Sequence, residues 1–262
     1  MAHLAGYCFS VIIGFSLGLI GGGGSILTSP VLVYFFEIDP AIAATYSLFI
    51  VGLTAVSGCI SHYRMHNIDY KAVMLFGIPS VVVLFIMRKW LLNLIPSVIF
   101  QSGQLIITKS FFIMSIFSIL MLIAGLSMIK QNNYTASKEK QSFTRLILQG
   151  CITGAVTGFI GIGGGFIIVP SLVLFAGLSM KKAIGSSLTI ITVNCIVGLL
   201  GNLKVAASLD FIFLLTFAAL AIFGMQVGTW VTKFIHDKKL KPIFGWVILS
   251  MSVVVFIRVF MH

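Results

Sequence analysis

Two apolar runs, residues 4–36 and 145–177, constrain this chain more than any other feature. Each would be a helix about 50 Å long at about 1.5 Å per residue, against a hydrocarbon core of about 30 Å. Each is also interrupted at its centre by clustered glycines, in LGLIGGGGSILTSP and TGFIGIGGGFIIVP. Glycine disfavours a helix interior by about 1 kcal/mol per residue relative to alanine. The spacing therefore predicts that each run is broken into two pieces. Six other apolar runs have ordinary spanning lengths: 41–63, 70–87, 109–129, 183–203, 209–232 and 242–260.

The two broken runs belong to a duplication. Setting residues 14–58 on 154–198 without a gap gives 15 identities in 45 positions, including Gly14/Gly154, Gly18/Gly158, Gly21/Gly161, Pro30/Pro170 and Ser47/Ser187. After one extra residue, Asp69–Tyr70 meets Asp210–Phe211. The longest strongly polar stretch, KQNNYTASKEKQS (130–142), joins the halves. The chain thus divides into a first transmembrane repeat, 1–130, a cytoplasmic linker, 131–144, and a second repeat, 145–262, in one integrated unit.

Composition excludes a water-soluble globule. Apolar residues make up 59 % and charged residues 9 %, against about 45–50 % and about 25 % in soluble domains. Seventeen Lys and Arg face six Asp and Glu. On a soluble protein that balance would suggest nucleic acid, but here the basic residues sit in connections between apolar runs, where they orient the chain. If each broken run crosses once, 8 basic residues fall inside and 9 outside. If each enters and returns as two half-helices, 12 fall inside and 5 outside. The positive-inside rule favours the second arrangement, with an odd number of passes per half, inverted repeats and both termini outside. The N-terminus lacks a basic leader and a cleavage site and reads as part of the first span. The four cysteines lie in apolar segments with no CxxC spacing and read as small apolar residues.

The glycine clusters loosely resemble a dinucleotide loop, but no strand precedes them and no acidic residue follows at the required distance. Gly14/Gly18 and Gly154/Gly158 have the spacing of close helix packing. Consecutive glycines define no packing face and suit a turn at membrane depth. Half-helices meeting near the midplane, in repeats inverted about an in-plane axis, are a recurrent transporter design. The second half-helices would begin near Ser25 and Phe166, with unpaired N–H groups and partial positive charge facing a small anion. The candidate binding residues are therefore Gly21, Gly22, Gly23, Gly24 and Ser25 in the first half, and Gly161, Gly163, Gly164 and Gly165 in the second. Purely structural hinges are the rival reading. Ser47/Ser187 and Thr54/Asn194 occupy matching places in the following spans and either line the pathway or bond their own helices. The acidic residues lie at span ends or in the linker, which argues against a cation pathway. Arg64 and Lys204 align at span ends, as anion attractants or as interfacial anchors. His62 and His66 share i, i+4 spacing, but no third ligand is near, so a solvated loop is expected there and no metal. Trp90, in RKWLLNLIP, suggests an interfacial segment. No nucleophile–base pair or carboxylate dyad in the spans suggests an enzyme.

The stretch GLIGGGGSILTSPVLVYFFEIDPAIAATYSLFIVGLTAVSG resembles the N-terminal signature of the sulfite exporter TauE/SafE family, also called the four-toluene-sulfonate uptake permease family. TGFIGIGGGFIIVPSLVLFAGLSMKKAIGSSLTI resembles its second repeat, and the likeness spans the chain apart from 88–108 and 130–144. The resemblance implies an integral membrane protein that moves sulfite, sulfoacetate, sulfonates or other small sulfur-containing anions. It also implies that Gly21–Ser25 and Gly161–Gly165 form the pathway. Gly165 stands where the first repeat has Ser25, which makes the two sides unequal if Ser25 touches the ligand.

The expected architecture is an all-α polytopic membrane protein of two inverted repeats, each a glycine-broken (re-entrant or half-helix) segment followed by three transmembrane helices. The expected function is a secondary transporter of a small sulfur oxyanion in the bacterial inner membrane, without a cofactor. Its partners are the anion and the bilayer, with homo-oligomerisation left open and nucleic acid excluded. The alternatives are a non-transporting membrane scaffold or accessory subunit, and a permease for an unrelated small anion.

Overall fold

In lipid every backbone polar group must find an internal partner, so long apolar segments free of breakers become helices. A computed structural model describes residues 2–22, 24–87, 98–102, 105–130, 143–160, 165–201 and 210–261. The first broken run forms α1 (Ala2–Ile20) and α2 (Gly24–Phe36), and the second forms α6 (Phe143–Ile160) and α7 (Gly165–Leu174). The first pair is followed by α3 (Pro40–Arg64), α4 (Tyr70–Ile86) and α5 (Lys109–Lys130). The second is followed by α8 (Met180–Gly201), α9 (Phe211–Phe234) and α10 (Asp237–Met261). Helix α4 contains a π-helical stretch at Val73–Gly77. A short antiparallel hairpin, β1 (Val98–Ser102) and β2 (Leu105–Thr108), precedes α5 and departs from the all-helical expectation. Trp90, Lys204 and most of the polar linker lie outside the described residues; α6 begins at Phe143, two residues before the expected repeat boundary.

Among the described residues, segments of α3, α8, α9 and α10 are long and apolar enough to cross a membrane. Large apolar side chains are exposed on outer faces, including Ile212 (80 %), Phe234 (69 %) and Trp246 (65 %). A water-soluble surface rarely carries so much apolar area. The chain is an integral membrane protein.

Each broken run turns back on itself. Tyr7, near the start of α1, packs its ring 5.4 Å from Phe36 at the end of α2, and Phe9 lies 4.9 Å from Phe35. In the second half the Thr153 and Ser171 hydroxyls lie 3.3 Å apart. The break in α1 follows from one residue: Gly21 has φ +77°, and its N–H donates to Leu17 O at 2.7 Å. That left-handed helix end is open to glycine without steric penalty.

The hairpins pack across the repeats. Gly14 lies against the Ala221 backbone and Gly18 against Met225 and Gly228, so α1 runs parallel to α9. Correspondingly, Gly150 meets Phe76, Gly154 meets Ser80 and Gly158 meets Leu84, so α6 runs parallel to α4. The matching helices α3 and α8 run antiparallel, with Gly52 on Cys195 and the Cys59 sulfur 3.3 Å from the Thr189 hydroxyl. Helices α5 and α10 are also antiparallel, with Gly125 on Gly245 and Ser118 bonded to Ser252. A β-carbon at Gly14 would overlap the Ala221 carbonyl, which is backbone and cannot swing away. Gly14→Val is therefore expected to lower unfolding free energy by about 1–3 kcal/mol, measured by denaturant titration in detergent.

The aspartates that align between repeats do the same work twice. Asp69 Oδ1 accepts from Ala72 N at 3.0 Å, and Asp210 Oδ1 accepts from Ile212 N and Phe213 N at 3.1 Å. Asp69 N donates to Ser186 Oγ (2.9 Å) and Asp210 N donates to Tyr46 OH (3.0 Å). Tyr46 and Ser186 are themselves equivalent positions, so each repeat ties the other's cap. Asp210→Ala is expected to destabilise by about 1 kcal/mol in the same titration.

Candidate functional site at the hairpin tips

Helices α2 and α7 begin beside one another. A β-carbon at Gly22 would overlap the carbonyl of Gly165, and one at Gly165 would lie 3.2 Å from Gly22 Cα. The same position on Gly165 is 2.6 Å from Ile191 Cδ1, and Ile191 stands halfway along α8. The two half-helix starts thus meet at mid-depth. The first-turn N–H groups of a helix have no partner within it and carry partial positive charge. Two such ends in one place can hold an anion without a buried cation.

Ser187 anchors the tip of the first hairpin. It is fully buried, and its hydroxyl lies 2.8 Å from both Gly21 O and Ile184 O, to which it donates. Its counterpart Ser47 donates to Ala44 O at 2.8 Å, and Thr54 donates to Ile50 O at 2.7 Å, both within their own helix. Of the expected site residues, Gly21, Gly22, Gly165 and Ser187 therefore come together. Gly24 opens α2, packed against the Ile13 carbonyl and Leu17. Ser25 lies in the first turn of α2, with its side chain outside the described residues, as are Gly23, Gly161, Gly163 and Gly164.

Asn194 is the most informative of them. It is 2 % exposed, and among the described residues neither its amide oxygen nor its amide nitrogen has a partner. Among the described residues two further buried hydroxyls lack partners, Ser80 on α4 beside α8 and Thr157 on α6. Asp69 meets Ser186 and Gly77 meets Ile190, so α4 and α8 run parallel. Asn194 is one turn beyond Ile190 and Ser80 about one turn beyond Gly77, which sets them at the same level of that seam. Gly154 packs on Ser80, and Thr157 follows it by one turn of α6. An unpaired buried polar group costs about 1–3 kcal/mol, so Asn194 and Ser80 at one level, with Thr157 one turn beyond, call for a ligand or a functional role. Nothing in their spacing singles out Ser80 or Thr157, because hydroxyls in apolar helices ordinarily bond their own backbone, as Thr28 and Thr192 do.

The expectation of a solvated loop at His62 is overturned. His62 lies inside α3, fully buried beside Gly185, and both ring nitrogens lack partners, whereas His66 is exposed just past the helix end. The apolar-face periodicity of α3 continues one turn further than the polar sequence SHYRMH implies. Among the described residues no group of three or more His, Cys, Asp or Glu gathers to bind a metal.

The family model for sulfite exporter TauE/SafE matches residues 7–255. A probable membrane transporter protein of Xylella fastidiosa (strain 9a5c) is 30 % identical over 257 residues, covering 94 % of this chain and 92 % of its own. The probable membrane transporter protein YdhB of Bacillus subtilis is 27 % identical over 233 residues, 88 % and 90 % of the two chains. The probable membrane transporter protein MJ0441 of Methanocaldococcus jannaschii is 28 % identical over 203 residues, 74 % and 71 % of the two chains. No solved structure matches.

Proposed function

This chain belongs to the sulfite exporter TauE/SafE family of membrane transporters, and from that premise we propose that it is a bacterial inner-membrane permease for a small sulfur oxyanion such as sulfite or an organosulfonate. The anion is held by the N-termini of α2 and α7. Gly21, Gly22, Gly23, Gly24 and Ser25 form one side, and Gly161, Gly163, Gly164 and Gly165 the other. Ser187 fixes the first tip and Asn194 supplies hydrogen bonds from α8. Ser47 and Thr54 hold the matching places in α3.

The observation that carries this reading is the meeting of two half-helix starts at the midpoint of α8. The antiparallel pairing of α3 with α8 and of α5 with α10 supports repeats inverted about an axis in the membrane plane. In this conformation Gly22 rests on the Gly165 backbone, so the tips are closed. Transport then requires them to part, by rocking of one repeat against the other. That closed contact also favours a second reading, a membrane scaffold whose glycines only pack helices.

The test is thermal-shift titration and liposome flux of purified protein with sulfite, sulfoacetate, taurine and sulfate. A ligand that binds only the folded state stabilises it by RT ln(1 + [L]/Kd). A saturable shift with one anion, matched by its flux, is the expected result. A well-folded sample with neither shift nor flux overturns the permease reading in favour of the scaffold.

A further inference from the structure

Away from the tips, a second space opens where α3 and α9 end and α8 begins, with basic residues and the apolar Val227 and Trp230 on its walls. A cavity of about 560 Å³ is lined by Ser61, Arg64, Gln226, Thr229 and Lys233, among others. A neighbouring cavity of about 320 Å³ is lined by Asn67, Lys181 and Thr232 and shares Met65 and Lys233 with the first. Among the described residues neither lining contains a carboxylate. This is the end that the positive-inside count assigns to the cytoplasm.

The lining is built. Gln226 bridges α9 to α3: its Nε2 donates to Ser57 Oγ at 2.6 Å and its Oε1 accepts from Ser61 Oγ at 2.9 Å. Lys181 Nζ donates to Lys233 O at 3.3 Å and ties α8 to the end of α9. Thr229 is 2 % exposed and its hydroxyl has no partner, although it borders the cavity. Its backbone N lies 2.8 Å from where a β-carbon on Gly18 would stand, one turn before the break at Gly21. The duplication reproduces this lining only in part: Lys204 and Arg88 align with Arg64 and Thr229, but Phe85 and Ala41 stand where Gln226 and Lys181 would be repeated.

We propose that the vestibule around Arg64, Lys181, Lys233 and Thr229 is a second binding site, a cytoplasmic loading site for the same small oxyanion. It rests on the permease reading and deepens it. Arg64 and the two lysines supply charge, and the Thr229 hydroxyl donates a hydrogen bond that has no other acceptor. Donors without carboxylates select a negatively charged, oxygen-rich group. A sulfonate or sulfite carries that chemistry, and so does the phosphate of an anionic lipid. Because the opposite half lacks counterparts of Gln226, Lys181 and Lys233, the two mouths are unequal.

The test is sulfite binding to full-length protein in nanodiscs of phosphatidylcholine, with a parallel arm containing phosphatidylglycerol. Thr229→Val removes only the hydroxyl. The expected result is that T229V is more thermally stable without ligand and binds sulfite about 5-fold more weakly, the loss of roughly one hydrogen bond. Lys233→Gln is expected to weaken binding about 10-fold at low ionic strength, an effect that shrinks as salt is added. Gly22→Val, which alters the tips, is expected to retain this vestibule binding. Sulfite binding unchanged in T229V and K233Q overturns the loading site and leaves the hairpin-tip reading intact. Loss of the Thr229- and Lys233-dependent sulfite binding when phosphatidylglycerol is present also overturns it, assigning the cavity to a lipid headgroup. Absence of binding and flux with sulfite, sulfoacetate, taurine and sulfate alike in the unaltered protein overturns the permease reading itself.

Discussion

Gly22→Val is expected to abolish flux while the protein still folds. The added side chain would overlap the Gly165 carbonyl, and relief requires one hairpin tip to move off the other. Overpacking of this kind lowers unfolding free energy by about 1–3 kcal/mol. A control separates stability from transport. Gly177 has φ +64° and nothing within 4 Å of where its β-carbon would stand, so Gly177→Ala introduces strain without a clash. That strain is worth about 1–2 kcal/mol. The two variants should thus lose similar stability in denaturant titrations. Only G22V should lose flux in liposomes; equal retention of flux in both would remove the tips from the pathway.

Asn194→Leu is expected to do the opposite to stability and the same to transport. The amide is buried with both ends unpartnered, and leucine fills a similar volume without polar atoms. Removing the unpaired groups should raise unfolding free energy by about 1–3 kcal/mol. If Asn194 hydrogen-bonds the anion, the more stable variant no longer responds to it in thermal-shift titration and its flux falls to background. A stabilised variant that transports normally would make Asn194 a structural residue and would strengthen the scaffold alternative for the whole seam.

The helical hairpins were legible because their signals are local. A run of 33 apolar residues exceeds the bilayer, and its glycines mark the breaking point. The matching aspartates were legible for the same reason, since a cap acts within one turn. What the hairpins pack against was not legible: α1 meets α9 and α6 meets α4 through glycine faces that would fit many partners. Of the candidate residues, Gly21, Gly22, Gly165 and Ser187 lie together, and Asn194 is buried without a partner among the described residues. Thr54, at the equivalent position, bonds Ile50 O instead. Whether a hydroxyl takes its own carbonyl depends on its rotamer and neighbours, which spacing does not encode. Thr229 was not legible for that reason, nor were Lys181 and Lys233, whose convergence with Arg64 requires the ends of α3 and α9 to meet the start of α8.

The cross-repeat seam between α1 and α9 has a consequence for how the protein is made. Helix α1 leaves the ribosome well before α9, yet its glycine face rests on that helix, encoded about 190 residues later. At about 5–20 residues per second, that partner arrives roughly 10–40 s afterwards. During this interval the nascent α1–α2 hairpin sits in the membrane with its closest-packing surface uncovered. Biogenesis therefore has a vulnerable window set by translation speed, in which an insertase or membrane chaperone can shield that face until the second repeat closes over it.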